Sequence, residues 1–288
     1  MYKQFKPMFL YCETAMHAGA GTGVGRVDLP IQREGHTGFP KIESSSLKGS
    51  LREHFEEIPG VPNQTVNDLF GPEDTSNIGL LGLTDARLLL FPIRSAKGIF
   101  AFITCPHILN KLKSDYLMMG EQFEITGNII PNENEVIYNG TSLSVNYGGR
   151  DSIMLEEFVF DVINQDTTIN NIKYNEWLAA VCPDAYKDEV LDKVVIVHDT
   201  IFQKLVSIYT EVITRNHIDN DTGVVKDGQL FTEEYLPCNS VMYYMAMFGN
   251  GASDTTSFDS FLTNMNENKL FRIGGGATIG KGFVTVKF

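Results

Sequence analysis

The segment SSLKGSLREHFEEI, residues 45–58, is predicted to be a helix. Leu47, Leu51 and Phe55 recur at the spacing of one helix face, which is the pattern of an amphipathic helix. Pro59-Gly60 follows directly and is expected to end the helix. The elements on both sides are assigned outward from this helix.

Apolar patterns around the helix predict the order strand–helix–hairpin–helix–strand. Alternating β-branched and aromatic residues indicate strands, and the 3.6-residue spacing indicates helices. Ser44 or Ser45 is the expected N-cap of the first helix, because its hydroxyl can accept a hydrogen bond from a free backbone N–H. The predicted elements are strands 2–16, 154–162, 241–248 and 283–288, helices 45–58, 106–117, 173–182, 199–214 and 258–265, and hairpins 80–104 and 219–234.

This order of elements is the ferredoxin-like pattern with long insertions, so we predict an α+β fold. No internal repeat or Pro/Ser-rich linker divides the chain, and one elaborated domain over residues 1–288 is expected. Residues 120–150 are polar and rich in Asn and Gly, which favours an inserted loop region. The turn of the second hairpin is expected at Lys226-Asp227-Gly228.

Charge is distributed unevenly along the chain. The formal net charge of −13 argues against nucleic acid as a partner. Residues 1–54 nevertheless carry a net charge of +2, and the remainder carries −15. Any surface that faces phosphates is therefore expected to include the first fifth of the chain.

The cysteines and the hydropathy point to a protein of the cytoplasm. The four cysteines, Cys12, Cys105, Cys182 and Cys238, are widely separated and form no CxxC pair. This spacing favours reduced thiols in the core over disulfides or a zinc site. No apolar run approaches the ~18 residues of a membrane span. We expect a cytoplasmic protein that does not associate with membranes.

Two glycine-rich segments suggest close approach to a ligand. In GGGATIGKG, residues 274–282, Gly282 stands where a P-loop needs Ser or Thr, and no helix follows. Glycine backbone N–H groups can still approach a phosphate closely, and Arg272 and Lys281 flank the run. An anion-binding loop is predicted, with a simple glycine connection as the alternative. The segment GAGTGVG, residues 19–25, opens no helix and favours a flexible loop.

Asp28 lies in the basic segment after that loop, between Arg26 and Arg33. An isolated loop aspartate usually caps a turn or faces solvent, but an acid among expected phosphates is costly for binding and favours a chemical role. RNA carries its own nucleophile, so cleavage needs in-line placement, proton removal and charge neutralisation. One carboxylate could act as a base or hold a divalent ion. His17 could add acid–base help or be structural.

A long N-terminal segment resembles the RAMP superfamily of CRISPR proteins: HAGAGTGVGRVDLPIQREGHTGFPKIESSSLKGSLR, residues 17–52. The resemblance is closest to the backbone subunit of the type III-B (Cmr) complex. GLLGLTDARLLLFPI at 79–93, LFTEEYLP at 230–237 and the run 274–282 resemble later segments of the same family. The resemblance implies a ferredoxin-like/RRM-like core with a protruding β-hairpin thumb, here residues 216–235.

The resemblance also implies the site residues. Asp28 is expected to be the catalytic residue of a metal-dependent ribonuclease, using Mg²⁺ or Mn²⁺. His17, Glu233 and Tyr235 are expected to line the same catalytic region. The residues expected to bind RNA, from the resemblance and from the basic and glycine-rich segments, are Arg26, Arg33, Ser46, Lys48, Arg52, Arg272, Gly274, Gly275, Gly276 and Lys281.

These inferences predict a guide-RNA-binding backbone subunit that cleaves complementary target RNA at regular intervals. The expected partners are guide RNA, target RNA, other effector subunits and further copies of the chain in a filament. Asp28 would promote attack of the 2′-hydroxyl and leave a 2′,3′-cyclic phosphate. The alternatives are a guide-RNA scaffold without chemistry and the equivalent type III-A backbone subunit. An endonuclease that processes guide precursors is a more distant alternative.

Overall fold

A mixed α+β architecture is seen in the computed structural model, which describes residues 2–23, 25, 27–72, 78–218, 224–249 and 255–288. Of residues 217, 218, 226–229 and 255–257 only the backbone is described. The strands are β1 Tyr2–Cys12, β2 Lys41–Ile42, β3 Leu81–Leu83, β4 Ala86–Arg94, β5 Phe100–Thr104, β6 Ile125–Thr126, β7 Glu135–Ile137, β8 Val145–Tyr147, β9 Arg150–Leu155, β10 Phe158–Ile163, β11 Thr168–Ile169, β12 Ile172–Lys173, β13 Val194–Val197, β14 Glu211–Ile218, β15 Val225–Tyr235, β16 Val241–Gly249, β17 Leu270–Arg272 and β18 Phe283–Lys287. The helices are α1 Ser44–Glu57, α2 Asn63–Phe70, α3 Pro106–Met118, α4 Tyr174–Ala180, α5 Lys187–Lys193, α6 Asp199–Ile208 and α7 Thr255–Glu267, with 3₁₀ turns at Asp184–Tyr186 and Ala277–Ile279.

Thirteen of these strands form one mixed sheet. Its order is β17-β18-β1-β16-β4-β5-β13-β7-β10-β9-β8, with β2 paired to β4 and β3 paired to β16. β1 is antiparallel to both β16 and β18, and β13 is parallel to β5. Two small sheets, β12-β11-β6 and β14-β15, complete the described strands.

The core lies along the centre of this sheet. Residues 8–12 of β1 are all buried, as expected for a strand that is covered on both faces. Helix α1 packs against α7 through Phe55 and Phe261, whose ring centroids are 5.4 Å apart. The apolar face predicted for the first helix is therefore the face that joins the core.

Helix α1 confirms the predicted helix at 45–58, but its predicted serine cap is wrong. The N-cap residue is Glu43, and its side chain makes no capping hydrogen bond. The backbone N–H of Ser44 instead donates to Oδ1 of Asp85 at 2.9 Å. A carboxylate from the strand region stabilises the helix start in place of a local hydroxyl.

Three other predicted elements are corrected. The helix predicted over 199–214 ends at Ile208, because residues from Glu211 onward pair with β15. The strand predicted over 154–162 is a hairpin of β9 and β10, which turns at Glu156 with φ of 51°. The region 120–150 is not only a loop, because β7 adds buried residues to the main sheet.

The second predicted hairpin exists, but with longer arms and a different turn. β14 and β15 are antiparallel from Glu211↔Tyr235 to Ile218↔Val225. The predicted turn at 226–228 is wrong because these residues lie within β15. Between the two strands, residues 219–223 lie outside the described residues.

The cysteine prediction holds for three of the four thiols. Cys12, Cys105 and Cys182 are buried, and Cys238 is exposed, so its predicted core position is wrong. All four are free thiols. Within the described part of the chain, no helix has both the length and the apolar character that a membrane crossing requires.

Candidate active site

The loop that follows β1 is joined to the end of β15 by backbone hydrogen bonds. The N–H of Leu29 donates to the Thr232 carbonyl at 3.0 Å, and the N–H of Glu234 donates to the Leu29 carbonyl at 3.0 Å. Closer to β1, Met16 and Leu236 exchange hydrogen bonds of 2.9 and 2.8 Å. These bonds need no particular side chain, and they bring together segments about 200 positions apart in the sequence.

The Asp28 carboxylate is held at this junction by Thr232. Its Oδ2 accepts hydrogen bonds from the Thr232 backbone N–H at 2.7 Å and from the Thr232 hydroxyl at 2.8 Å. These hydrogen bonds, the backbone one first, lower the pKa of Asp28 below its ordinary value. The side chain is exposed. A stable carboxylate of low pKa is better suited to carry negative charge beside a ligand than to accept a proton.

An ion pair with a buried carboxylate supports the junction two residues beyond Thr232, on the same face of β15. Oε1 of Glu234 accepts from the Arg33 guanidinium at 2.6 Å and from the Thr210 hydroxyl at 2.7 Å. The N–H of Ile31 donates to Oε2 at 3.0 Å. Burial alone would raise the pKa of Glu234, but the hydrogen bonds from Thr210 and Arg33 outweigh it and lower the pKa. Arg33 and Glu234 therefore position the loop that carries Asp28.

His17 connects the junction to the C-terminal glycine loop. Its Nδ1 lies 2.7 Å from the Glu234 carbonyl, which can only accept, so Nδ1 carries a hydrogen. Its Nε2 lies 3.8 Å from Oε1 of Glu233. The N–H of Gly275 donates to the His17 carbonyl at 2.9 Å. A Cβ on Gly19 would lie 2.7 Å from Nε2, so glycine is needed there to leave room for the ring.

Glu233 and Tyr235 form a polar cluster with Arg215. The Tyr235 hydroxyl donates to Oε2 of Glu233, and Arg215 contacts both side chains, at 2.6 Å to the hydroxyl and 3.1 Å to the carboxylate. Tyr235 is fully buried. Burial and the bond to Glu233 raise its pKa, although Arg215 opposes the shift. The Nζ of Lys281 lies 4.9 Å from the Tyr235 ring centroid, a cation–π contact.

The four predicted catalytic residues thus divide between two faces of β15. Residues two apart in a strand share a face, so Glu233 and Tyr235 point together toward His17. Thr232 points to the opposite face, where it holds Asp28. Among the described residues the Asp28 carboxylate has no hydrogen bond to any of the other three predicted catalytic residues.

Sequence reasoning missed the partners that order these groups. Thr232 is an ordinary strand residue, and Arg215 stood just beyond the end of a predicted helix. In the sequence, nothing distinguishes Glu234 except that it follows Glu233. The alternation of side chains along a strand places Glu233 and Glu234 on opposite faces. No local signal in the sequence identifies Thr232 as the partner of Asp28.

Three of the predicted RNA-binding residues use their charged groups within the protein. Arg33 pairs with Glu234 and also donates to the Gly38 carbonyl at 2.7 Å. Lys48 donates to the Leu81 carbonyl at 2.9 Å, and burial lowers its pKa. Arg52 donates to the Gly71 carbonyl at 2.6 Å. Contacts of these residues with RNA stay a prediction.

Of the remaining predicted RNA-binding residues, those that the structure describes are partly or fully exposed. Arg26 lies outside the described residues. Ser46 accepts a hydrogen bond from the Gln32 amide at 3.1 Å. Arg272 is partly exposed on β17, and Gly274 and Gly275 are exposed beside His17. Gly276 and Lys281, both partly exposed, lie in the same loop.

The side chains at this site could hold a divalent cation only together with a bound ligand that supplies further oxygen atoms. Within the described ranges, no group of three or more His, Cys, Asp or Glu residues is arranged to hold a metal ion. Asp28 is a single exposed carboxylate. Mg²⁺ commonly takes one or two carboxylates, keeps several waters and binds substrate phosphates. Asp28 is the predicted metal ligand, and its exposed carboxylate could serve in this way.

Comparison with known proteins identifies the family. The model of the RAMP superfamily matches residues 9–285, and the chain belongs to this superfamily. Over 292 aligned positions the chain is 35% identical to a protein of Pyrococcus furiosus described as the CRISPR system Cmr endoribonuclease Cmr4, with 96% of this chain and 93% of that protein covered.

Solved structures share the fold. Oligomeric Cmr4 from Pyrococcus furiosus superposes with a TM-score of 0.74 at 28% identity, covering 99% of this chain and 98% of that chain. A type III-B Cmr-beta structure bound to cognate target RNA gives a TM-score of 0.76 at 21% identity, covering 99% and 97%.

Proposed function

We propose that this chain is a guide-RNA-binding backbone subunit of a type III-B CRISPR effector complex, and that it cleaves complementary target RNA at Asp28. The observation that carries the proposal is the junction itself. An exposed, ionised Asp28 lies on a loop that is hydrogen-bonded to β15, and the C-terminal glycine loop is hydrogen-bonded to His17 in the same junction. The relative that is 35% identical is described as an endoribonuclease.

The chemistry that suits this site is attack by the RNA on itself. A 2′-hydroxyl attacks the adjacent phosphorus and gives up its proton to water, and the bond from phosphorus to the 5′-oxygen breaks. The leaving 5′-oxygen takes a proton from water, so that a 2′,3′-cyclic phosphate and a 5′-hydroxyl remain. Asp28 would accept a hydrogen bond from the 2′-hydroxyl and orient it in line. Because its pKa is low, Asp28 would orient the hydroxyl more effectively than it would take up the proton. A divalent cation beside Asp28 would neutralise charge on the phosphate.

The other predicted catalytic residues are assigned supporting roles. Tyr235 is buried, and its hydroxyl is engaged by Glu233 and Arg215. His17 is largely enclosed between the Glu234 carbonyl and the glycine loop. These residues are proposed to order the loop ahead of Asp28 and not to contact the scissile phosphate.

The sheet order supports the ferredoxin-like assignment of the core. β18, β1, β16 and β4 are neighbours and pair antiparallel, α1 follows β1, and α7 follows β16. This is the order expected of a βαββαβ unit. We infer that β14 and β15 are the thumb, since they form a separate two-stranded sheet with Val212 and Leu230 exposed.

The charge distribution supports an RNA groove on one side of an assembly. The basic N-terminal segment and the glycine loop meet at His17, and guide RNA is proposed to lie there. The acidic remainder would face neighbouring copies, other subunits and solvent. One domain over residues 1–288 is supported by the single cluster of buried hydrophobic residues that extends from β1 to β18.

The test is cleavage of complementary RNA by the reconstituted complex, with and without Mg²⁺. Asp28→Asn is expected to abolish regularly spaced cuts while guide and target binding persist. Asp151→Asn is the matched control, because Asp151 is also exposed but lies on β9 at the far end of the sheet. Parental cleavage by the Asp28→Asn complex would reduce the chain to a scaffold and move the nuclease to a partner.

The scaffold alternative has one observation in its favour. The described hydrogen bonds include none between Asp28 and His17, so the site lacks a preformed acid–base pair. Cleavage by complexes in which only this subunit is altered separates the two functions. A type III-A subunit would share the chemistry, and the subunits that copurify with the chain distinguish that assignment.

A further inference from the structure

Asp28 and Thr232 close a compact set of three hydrogen bonds. The Asp28 N–H donates to the Thr232 hydroxyl oxygen at 3.0 Å, and that hydroxyl donates to Oδ2 of Asp28 at 2.8 Å. The Thr232 N–H donates to the same Oδ2 at 2.7 Å. The direction of each bond is determined, because both N–H groups can only donate and an ionised carboxylate can only accept.

This arrangement restricts an otherwise mobile side chain. An exposed aspartate on a loop can occupy several rotamers, and each wrong rotamer removes its carboxylate from the reaction. Two donors on Oδ2 select one rotamer and leave Oδ1 out of every hydrogen bond that the structure describes at this residue. A carboxylate fixed through one oxygen can present the other to a ligand.

We propose that Thr232 is a positioning residue for RNA cleavage, which holds the Asp28 carboxylate so that Oδ1 faces the scissile linkage. The inference rests on the proposed role of Asp28. Thr232 acts through Asp28 and needs no contact with RNA. Because small displacements of a reacting group cost up to ~100-fold in rate, loss of the hydroxyl is expected to slow cleavage strongly.

The backbone at this place does not depend on the threonine side chain. Leu29 bonds to the carbonyl of Thr232 and to the N–H of Glu234. Valine has nearly the shape of threonine, favours strands and keeps the backbone N–H that donates to Oδ2. Thr232→Val therefore removes the hydroxyl alone.

The experiment measures single-turnover cleavage by the complete effector complex at saturating target RNA, and target affinity separately. Thr232→Val is expected to lower the saturating rate by about tenfold to 100-fold, with affinity unchanged. Thr232→Ser restores the hydroxyl and is expected to restore the rate. The matched control is Thr214→Val, since Thr214 lies directly opposite Thr232 on β14 and is exposed.

Several results would overturn the proposal. If Thr232→Val cleaves at the parental rate while Asp28→Asn is inactive, Thr232 has no positioning role, and the proposed function of Asp28 is unaffected. A serine variant as slow as the valine variant shows that the hydroxyl is not responsible. If Thr232→Val weakens the affinity for target RNA and leaves the saturating rate unchanged, Thr232 contacts RNA directly and is not a positioning residue. Parental cleavage by Asp28→Asn removes the proposed function itself. If the valine complex does not assemble, Thr232→Ala is compared with Thr232→Ser by the same criteria.

Discussion

The guanidinium of Arg33 lies 2.6 Å from Oε1 of Glu234, and this ion pair joins the loop after β1 to the end of β15. The Glu234 side chain is 7% exposed and that of Arg33 is 23% exposed. Loss of one partner leaves the other charge buried, so Arg33→Met is expected to lower the free energy of unfolding by about 3 kcal/mol. Urea denaturation of the isolated chain measures this change.

The control for Arg33 is a pair with similar geometry at the surface. Arg150 lies 3.0 Å from Asp161, and the two side chains are 75% and 36% exposed. Arg150→Met should change the free energy of unfolding by no more than about 1 kcal/mol, because exposed ion pairs contribute little. If Arg33→Met kept parental stability and instead weakened RNA binding, Arg33 would return to the RNA-binding surface.

Glu234 is expected to make the free energy of unfolding depend on pH in the acid range. Its pKa in the folded chain lies below the ordinary value of 4.5, because bonds from Thr210 and Arg33 outweigh burial. The resulting stabilisation is present above the ordinary pKa and is lost as the pH falls through the folded pKa. The stability difference between the parent and Glu234→Gln is therefore expected to shrink as the pH falls below that ordinary value. Urea midpoints at several pH values measure it, and a difference independent of pH would contradict this assignment.

Gly19 is expected to tolerate no side chain. In Gly19→Ala the new Cβ would meet Nε2 of His17 at 2.7 Å, so the ring must shift from its position. Cleavage by the assembled complex should fall, and His17→Ala should fall by a similar factor. Gly35→Ala is the control, since nothing lies within 4 Å of a Cβ there. Full activity of Gly19→Ala would show that the position of His17 is unimportant.

Tyr235 is expected to matter for stability more than for chemistry. Tyr235→Phe removes a hydroxyl that contacts Glu233 and Arg215, and leaves these two side chains paired with each other. We expect a loss of about 1 kcal/mol in the free energy of unfolding and a cleavage rate close to that of the parent. Thermal denaturation and single-turnover cleavage measure the two effects. A large loss of rate without a change in stability would make Tyr235 a catalytic residue.

Local patterns in the sequence were sufficient for part of the architecture. The spacing of Leu47, Leu51 and Phe55 predicts α1, and the structure buries all three. The run of apolar residues near 241–248 predicts β16, which is buried as expected. These predictions succeed because hydrophobic periodicity is set by residues within a few positions of one another.

Local patterns failed where a distant segment decides the conformation. The chain after Ile208 leaves the helix because β15 offers strand pairing, which outweighs a weak helical propensity. The cap of α1 comes from Asp85, 41 positions away from Ser44. The sequence predicts a hairpin near 219–234, but the length of its arms and the position of its turn depend on the register between β14 and β15.

The core helix, the glycine-rich segments and the place of Asp28 in a basic segment can all be read from the sequence alone. Each of these features depends on residue types that are neighbours along the chain. The contact that holds Asp28 to Thr232, 204 positions away, is revealed by the folded structure. The folded structure also reveals that Arg33 pairs with Glu234. Hydrogen bonds and ion pairs act over a few ångströms of space, and sequence separation does not reveal which distant residues the folded backbone brings within that distance.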